Sequence, residues 1–86
     1  MKKITIRYFA RLREQLGAEQ ETLEVEDSVE NVAQLKAFLT SRGETWQKAM
    51  TSAPSILAAV NQTMASQMQA IHDGDEVAFF PPLTGG

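Results

Sequence analysis

Apolar and polar residues alternate at the start of the chain, with Ile4, Ile6 and Tyr8 in one phase and Thr5, Arg7 and Phe9 in the other. A period of two predicts a first strand with one face on a core. Ala10 to Leu16 is rich in helix formers and stops at Gly17, which suits the left-handed position after a helix, so a short helix follows. Leu23 and Val25 then alternate with Thr22, Glu24 and Glu26, predicting a second strand antiparallel to the first. Asp27 or Ser28 can cap the next element, and Glu30 stands three after Asp27 as in a capping box. Val29, Val32, Leu35, Phe38 and Leu39 recur at helical spacing up to Gly43, which makes this the main helix. Trp46 to Met50 reads as a further helical turn, Thr51-Ser52-Ala53-Pro54 as a loop, and Ile56 to Val60 as a buried central strand. Asn61-Gln62 is a turn, Thr63 to Ser66 a weak edge segment, and Asp73-Gly74-Asp75 a turn into the last strand, Glu76 to Phe80.

This order packs one main helix across one face of a mixed sheet, an α+β roll of the β-grasp type. Residues 1–80 form the expected single domain and residues 81–86 a flexible tail. The other face of the sheet is left for solvent or a partner. Phe9 is out of phase with the core set of the first strand, and Phe80 is out of phase with Val77 and Phe79. Either these rings form a docking patch on the uncovered face, one of them beside the tail, or they fold back into the core.

The tail itself is Pro81-Pro82-Leu83-Thr84-Gly85-Gly86. Two prolines fix φ and remove two amide donors, so strand pairing stops and a stiff spacer leaves the domain. Glycine has no Cβ, which lets a partner's walls close directly on the main chain. Six extended residues reach at most about 20 Å, enough to carry the terminal carboxyl group of Gly86 into a neighbour's pocket. That carboxyl is the tail's one reactive group and is a poor acyl donor until its oxygen becomes a leaving group. Chemistry at this end therefore calls for an activating enzyme and a nucleotide.

Composition narrows the classes. With 86 residues there is room for one small core and little room for a deep private active-site cleft. A formal charge of -3 without a Lys/Arg block argues against nucleic acid or an anionic membrane as the main partner. The absence of cysteine removes disulfides, thiolate metal sites and a cysteine nucleophile, and fits a reducing compartment. Met1-Lys2-Lys3 resembles the start of a signal peptide, but Arg7 interrupts the apolar stretch, and no run approaches the roughly 20 residues of a membrane span. A cytoplasmic location is expected. Asp73, Asp75 and Glu76 read as a solvated turn, so no metal site is expected, and His72 as a surface turn residue. Trp46 is structural, whereas Met64 and Met68 suit either gap-filling or a partner surface. Glu19, Glu21, Glu24, Glu26 and Asp27 make an acidic stretch, read as a solvated strand edge or as an attractor for a basic partner. No Gly-rich phosphate loop precedes a helix, so no cofactor or nucleotide is expected to bind intrinsically.

Three segments carry a family resemblance: Tyr8 to Gly17, Leu57 to Thr63, and above all Asp73-Gly74-Asp75-Glu76-Val77-Ala78-Phe79-Phe80-Pro81-Pro82 running into Gly85-Gly86. Together they closely resemble the small subunits of molybdopterin synthase, a family of ubiquitin-like sulfur carriers. Glu44 to Ser55 carries little of this signal. The resemblance implies that an adenylyltransferase related to ubiquitin-activating enzymes uses ATP to join the carboxyl of Gly86 to AMP. A sulfur donor then converts the acyl-adenylate to a thiocarboxylate. It further implies that the tail, Pro81, Pro82, Leu83, Thr84 and Gly85, inserts into a large catalytic subunit, where the sulfur builds the dithiolene of molybdopterin. Two small and two large subunits are implied, with Phe80, Phe9 and Met64 as an apolar dock and Arg13 paired to an acidic group. Other ubiquitin-like sulfur carriers, of thiamine or tRNA-thiolation type, a protein modifier conjugated through Gly86, and an adaptor using the sheet face alone are the competing classes.

Overall fold

The computed structural model describes residues 1–51 and 56–82. Its elements are β1 (Lys2–Tyr8), α1 (Arg11–Leu16), β2 (Gln20–Val25), α2 (Val32–Thr40), α3 (Glu44–Thr51), β3 (Leu57–Val60), β4 (Thr63–Ala65) and β5 (Glu76–Phe80). The strands form one sheet of five in the order β2-β1-β5-β3-β4. β1 and β5 run parallel, and the other neighbours are antiparallel. This is the predicted β-grasp roll, with a correction at its centre. The middle strand is β5; β3, expected there, lies next to the edge. Leu57-Ala58-Ala59-Val60 reads as continuously apolar because one of its faces meets the core and the other an apolar surface, so the run does not mark a strand covered on both sides.

The core face is the phase predicted for β1. Ile4, Ile6 and Tyr8 are buried together with Val77 and Phe79 of β5 and Ala58 and Val60 of β3. Leu12 of α1, Val32, Leu35 and Leu39 of α2, and Ala49 and Met50 of α3 close over them. Each large side chain removed from water in this way contributes roughly 1.5 to 3 kcal/mol. Phe38 departs from the expected stripe and is exposed. Positions 32, 35 and 39 already fill the face turned to the sheet, and position 38 is rotated to its flank. The turn read over Trp46–Met50 is a full helix of eight residues, α3. Of the loop expected at 51–54, Thr51 belongs to that helix, and Ser52, Ala53 and Pro54 lie outside the described residues.

The start of α2 is also displaced from the reading. Neither Asp27 nor Ser28 caps it; the residue at that position is Asn31, extended, with its side-chain oxygen accepting from the Gln34 backbone N–H at 2.9 Å. Gln34 Oε1 reaches back to accept from the Glu30 N–H at 2.7 Å, so a reciprocal cap exists four residues further on than Asp27. The backbone N–H groups of Val32 and Ala33 donate to the carbonyls of Gln69 and Gln67, which fastens the segment between β4 and β5 across the helix. Ile71 of that segment is buried in the core.

Glu21 corrects the reading of a wholly solvated acidic edge. It pairs with Ile6 across β1 and β2 and so shares the core face. Its Oε2 accepts from the Tyr8 hydroxyl at 2.7 Å and from Arg42 Nη1 at 2.9 Å. Arg42 stacks over Trp46 at 4.2 Å, and Trp46 meets Tyr8 edge-on at 5.6 Å. The tryptophan is thus structural, one wall of a clasp at the sheet margin. Burial, aided by the Glu21 carboxylate, pushes the Tyr8 phenol well above its ordinary value. Burial also works upward on the Glu21 carboxyl, but the hydrogen bonds from Arg42 and Tyr8 and the Arg42 charge outweigh it and leave Glu21 below its ordinary value.

Candidate docking face and tail exit

Because β1 and β5 are parallel, their ends arrive at the same margin of the sheet. Tyr8 pairs with Phe79, and the Phe9 N–H donates to the Phe79 carbonyl at 3.1 Å, so Phe9 and Phe80 emerge side by side. β3 is antiparallel to β5 and begins at this margin, placing Leu57 opposite Phe80. Residues paired across strands point to one face. Phe80, Ala78, Leu57, Ala59 and Met64 therefore share the face turned away from the helices. Ala59 is almost covered between Ala78 and Met64, while Leu57, Phe9 and Met64 stand 37%, 38% and 62% exposed. Phe80, Pro81 and Pro82 are half-buried where the chain leaves the sheet.

Local backbone features fix both ends of the strands that carry this face, Ala10 at the tail margin and the Asn61-Gln62 and Asp73-Gly74-Asp75 turns at the opposite one. Ala10, immediately after Phe9, has φ 54 and ψ -134, a region that side chains disfavour. It turns the chain sharply from β1 into α1, which then ends at Gly17 in the left-handed conformation as predicted. Asn61 and Gln62 have φ of 49 and 69, the two positive values of a tight turn matched to strand twist. Asn61 also ties that turn to β5: its Nδ2 donates to Asp75 Oδ1 at 3.0 Å and its Oδ1 accepts from the Glu76 N–H at 3.0 Å. Asp75 Oδ2 accepts from the His72 N–H at 2.8 Å, and Asp73 Oδ1 from the Lys3 N–H at 2.7 Å. Burial acts upward on the Asp75 carboxyl, yet the hydrogen bonds from Asn61 and His72, with the His72 charge, hold it below its ordinary value. Asp73-Gly74-Asp75 is therefore a turn whose carboxylates organise backbone. His72 is the exposed turn residue expected. No group of three or more acidic, histidine or cysteine side chains able to hold a metal gathers among the described residues.

Of the predicted site residues, the structure brings Phe9, Phe80 and Met64 to the open face and Pro81 and Pro82 to its margin. Neither phenylalanine folds into the core. Arg13 sits apart from the sheet on the exposed side of α1, with no ion pair among the described residues. Leu83, Thr84, Gly85 and Gly86 lie outside the described residues. Leu57 was missed, since the unbroken apolar run hid its outward phase. Arg7 was missed too: it lies on the same face, its guanidinium carbon 5.2 Å from the centre of the Phe9 ring. Among the described residues no helix is long and apolar enough to cross a membrane. An apolar face beside a chain exit can seat a protein.

Comparison with known proteins gives a consistent set of relatives. The model of the ThiS family matches residues 6–86. A molybdopterin synthase sulfur carrier subunit of Escherichia coli is 40% identical over 83 residues, covering 96% of this chain and 99% of that protein. The protein of the same name from Haemophilus influenzae is 34% identical with the same coverage, 96% and 99%. Among solved structures, the putative molybdopterin converting factor subunit 1 of Pyrococcus furiosus superposes with a TM-score of 0.78 at 26% identity, covering 96% of this chain and 100% of that one.

Proposed function

The chain belongs to the ThiS family, and on that premise we propose that it is the sulfur carrier subunit of a molybdopterin synthase. One observation supports the reading most: parallel β1 and β5 deliver Phe9, Phe80 and the Pro81-Pro82 exit to one margin of an apolar, uncovered face. The face docks a larger subunit while the segment that follows, ending at Gly86, enters it. Two carriers and two large subunits form the assembly, in the cytoplasm, since two sulfurs are needed per dithiolene.

The chemistry is supplied in stages at the Gly86 carboxyl. An adenylyltransferase related to ubiquitin-activating enzymes binds the chain and ATP. A carboxylate oxygen attacks the α-phosphate, pyrophosphate leaves, and an acyl-adenylate forms. Sulfur delivered by a donor at the oxidation level of hydrosulfide then displaces AMP, so a carbon–sulfur bond replaces the carbon–oxygen bond, AMP leaves, and a thiocarboxylate remains. This is ionised at neutral pH and softer than oxygen, so it attacks the precursor bound in the large subunit; hydrolysis of the acyl link returns the carboxylate. Gly85 and Gly86 pass a narrow channel because they carry no side chain. The carrier contributes no general base and no bound nucleotide, only position.

Intact mass spectrometry of the protein isolated from its host tests this directly. The expected species has one terminal oxygen exchanged for sulfur, and deletion of Gly86 abolishes dithiolene synthesis with the fold retained. Dithiolene synthesis by the truncated chain refutes the proposal, and isopeptide conjugates through Gly86 would assign it instead to the protein modifiers.

A further inference from the structure

On the open face, Arg7 has no ion-pair partner among the described residues. Arg7 belongs to β1 in the phase turned from the core, between Gln20 of β2 and Ala78 of β5 in the pairing registers. It is half-buried, its Nε is closed off from solvent, and that atom makes no hydrogen bond. Carboxylates of the described residues do not serve it. Glu21 lies on the opposite face, held by Tyr8 and Arg42, and Asp75 is held by Asn61 and His72. Glu76 shares the face through its pairing with Thr5 but is outside ion-pair distance.

We propose that Arg7 is a recognition residue of the docking face, and that the partner covering Phe9 and Phe80 presents an aspartate or glutamate carboxylate to its guanidinium. The inference rests on the docking reading above. A protein seated on Leu57, Met64 and the two rings removes water from the margin where Arg7 lies. Stripping an arginine of hydration without an acceptor is unfavourable, so an apolar partner surface alone would bind poorly there. The guanidinium is already oriented by its stack on Phe9, so a planar, bidentate carboxylate meets a fork that loses little freedom on pairing. The charge distribution points the same way. Arg7, Arg11 and Arg13 cluster in sequence around the β1 to α1 turn and outnumber Glu14 and Glu19 beside them, whereas Glu24, Glu26 and Asp27 gather at the far end of β2 next to Lys2 and Lys3. An acidic group on the partner is drawn to the arginine end, which favours one orientation of docking.

The test is calorimetric titration of the full chain with the large synthase subunit at low and high salt, using native, Arg7→Leu, Arg7→Lys and Phe80→Ala proteins, each checked by thermal unfolding. Leucine preserves the strand and enlarges the apolar face, so a purely hydrophobic dock would bind it as well as native or better. The expected result is a loss of about tenfold to a hundredfold for Arg7→Leu at low salt, with a flatter salt dependence. Arg7→Lys keeps the charge without the fork and is expected to bind about tenfold less tightly with the native salt slope; it carries the test should the leucine variant unfold. Native affinity in the folded Arg7 variants, with binding weakened by Phe80→Ala, overturns the role of Arg7 and leaves the docking face standing. Unchanged affinity in Phe80→Ala as well overturns the docking reading, and the arginine inference falls with it.

Discussion

Replacing Glu21 with glutamine removes one negative charge from the clasp and changes almost nothing in its shape. The carboxylate accepts from the Tyr8 hydroxyl at 2.7 Å and from Arg42 at 2.9 Å, with the Glu21 side chain 21% exposed and Arg42 30% exposed. A hydrogen bond to a charged group is worth about 1.5 to 3 kcal/mol net when shielded, and partial solvent access screens the pair. Glutamine can still accept from one donor, so the expected loss at neutral pH is about 1 to 2 kcal/mol, a fall in Tm of roughly 5 to 10 °C for a chain of this size. The pH dependence gives the claim its edge. The folded Glu21 carboxyl titrates below its unfolded value, so its stabilisation is complete above the unfolded value and is lost as pH falls through the lower, folded one. Thermal melts of native and Glu21→Gln protein should therefore differ at neutral pH and converge as pH falls below the ordinary carboxylate range. Equal Tm at neutral pH, or a gap that persists undiminished in acid, would show that the clasp is held by the Trp46 stacking and not by the carboxylate.

Two further outcomes concern backbone at the two ends of the sheet, Ala10 at the tail margin and Asn61 at the opposite one. Ala10→Gly removes the penalty of a side chain at φ 54 and should raise stability by about 1 kcal/mol after the added chain entropy of glycine; chemical denaturation showing a loss would mean the Ala10 methyl group is needed for packing. Asn61→Ala deletes two hydrogen bonds to the start of β5 and places alanine at φ 49, for an expected loss of about 2 kcal/mol. Asn61→Gly tolerates the conformation, so it should recover only the backbone share, and full recovery would show that the carboxamide bonds contribute nothing.

How much could be read beforehand varied with the range of the interactions involved. The phase of Ile4, Ile6 and Tyr8 was legible because a strand has one inward side, and that phase also set Phe9 and Phe80 apart from the core. Leu57 was hidden inside an apolar run, because hydrophobicity alone does not say whether a neighbour is core or partner. The cap of α2 was misplaced although its signal was present: Asp27 with Glu30 and Asn31 with Gln34 have the same spacing. Only the Asn31–Ala70 bridge and the donations to Gln67 and Gln69 select the second. Glu21 looked like its acidic neighbours because its partners, Tyr8 and Arg42, are 13 and 21 residues away. Ile71, isolated among polar residues, showed no periodicity at all. The orphaned Nε of Arg7 is a property of packing, with no trace in composition.

The placement of β5 decides how this fold can present a tail. A terminal segment that left an edge strand would be anchored by one ladder and could peel away with it. β5 is instead bonded on one side to β1 and on the other to β3, and its entry is fixed by Asp75 and Asn61. Phe80 is consequently held at a defined height beside Phe9, and the ladder stops at Pro81 because proline has no N–H to donate. Anchorage and release thus meet within adjacent residues: Phe80 closes the ladder, and Pro81 and Pro82 lie outside it. In the proposed function, a partner that recognises the face meets a carrier surface already ordered by the sheet, which lowers the entropy lost on docking. The cost falls on the fold, which must keep apolar side chains and a poorly served arginine at its surface, and the helices on the opposite face supply the burial that makes this sustainable.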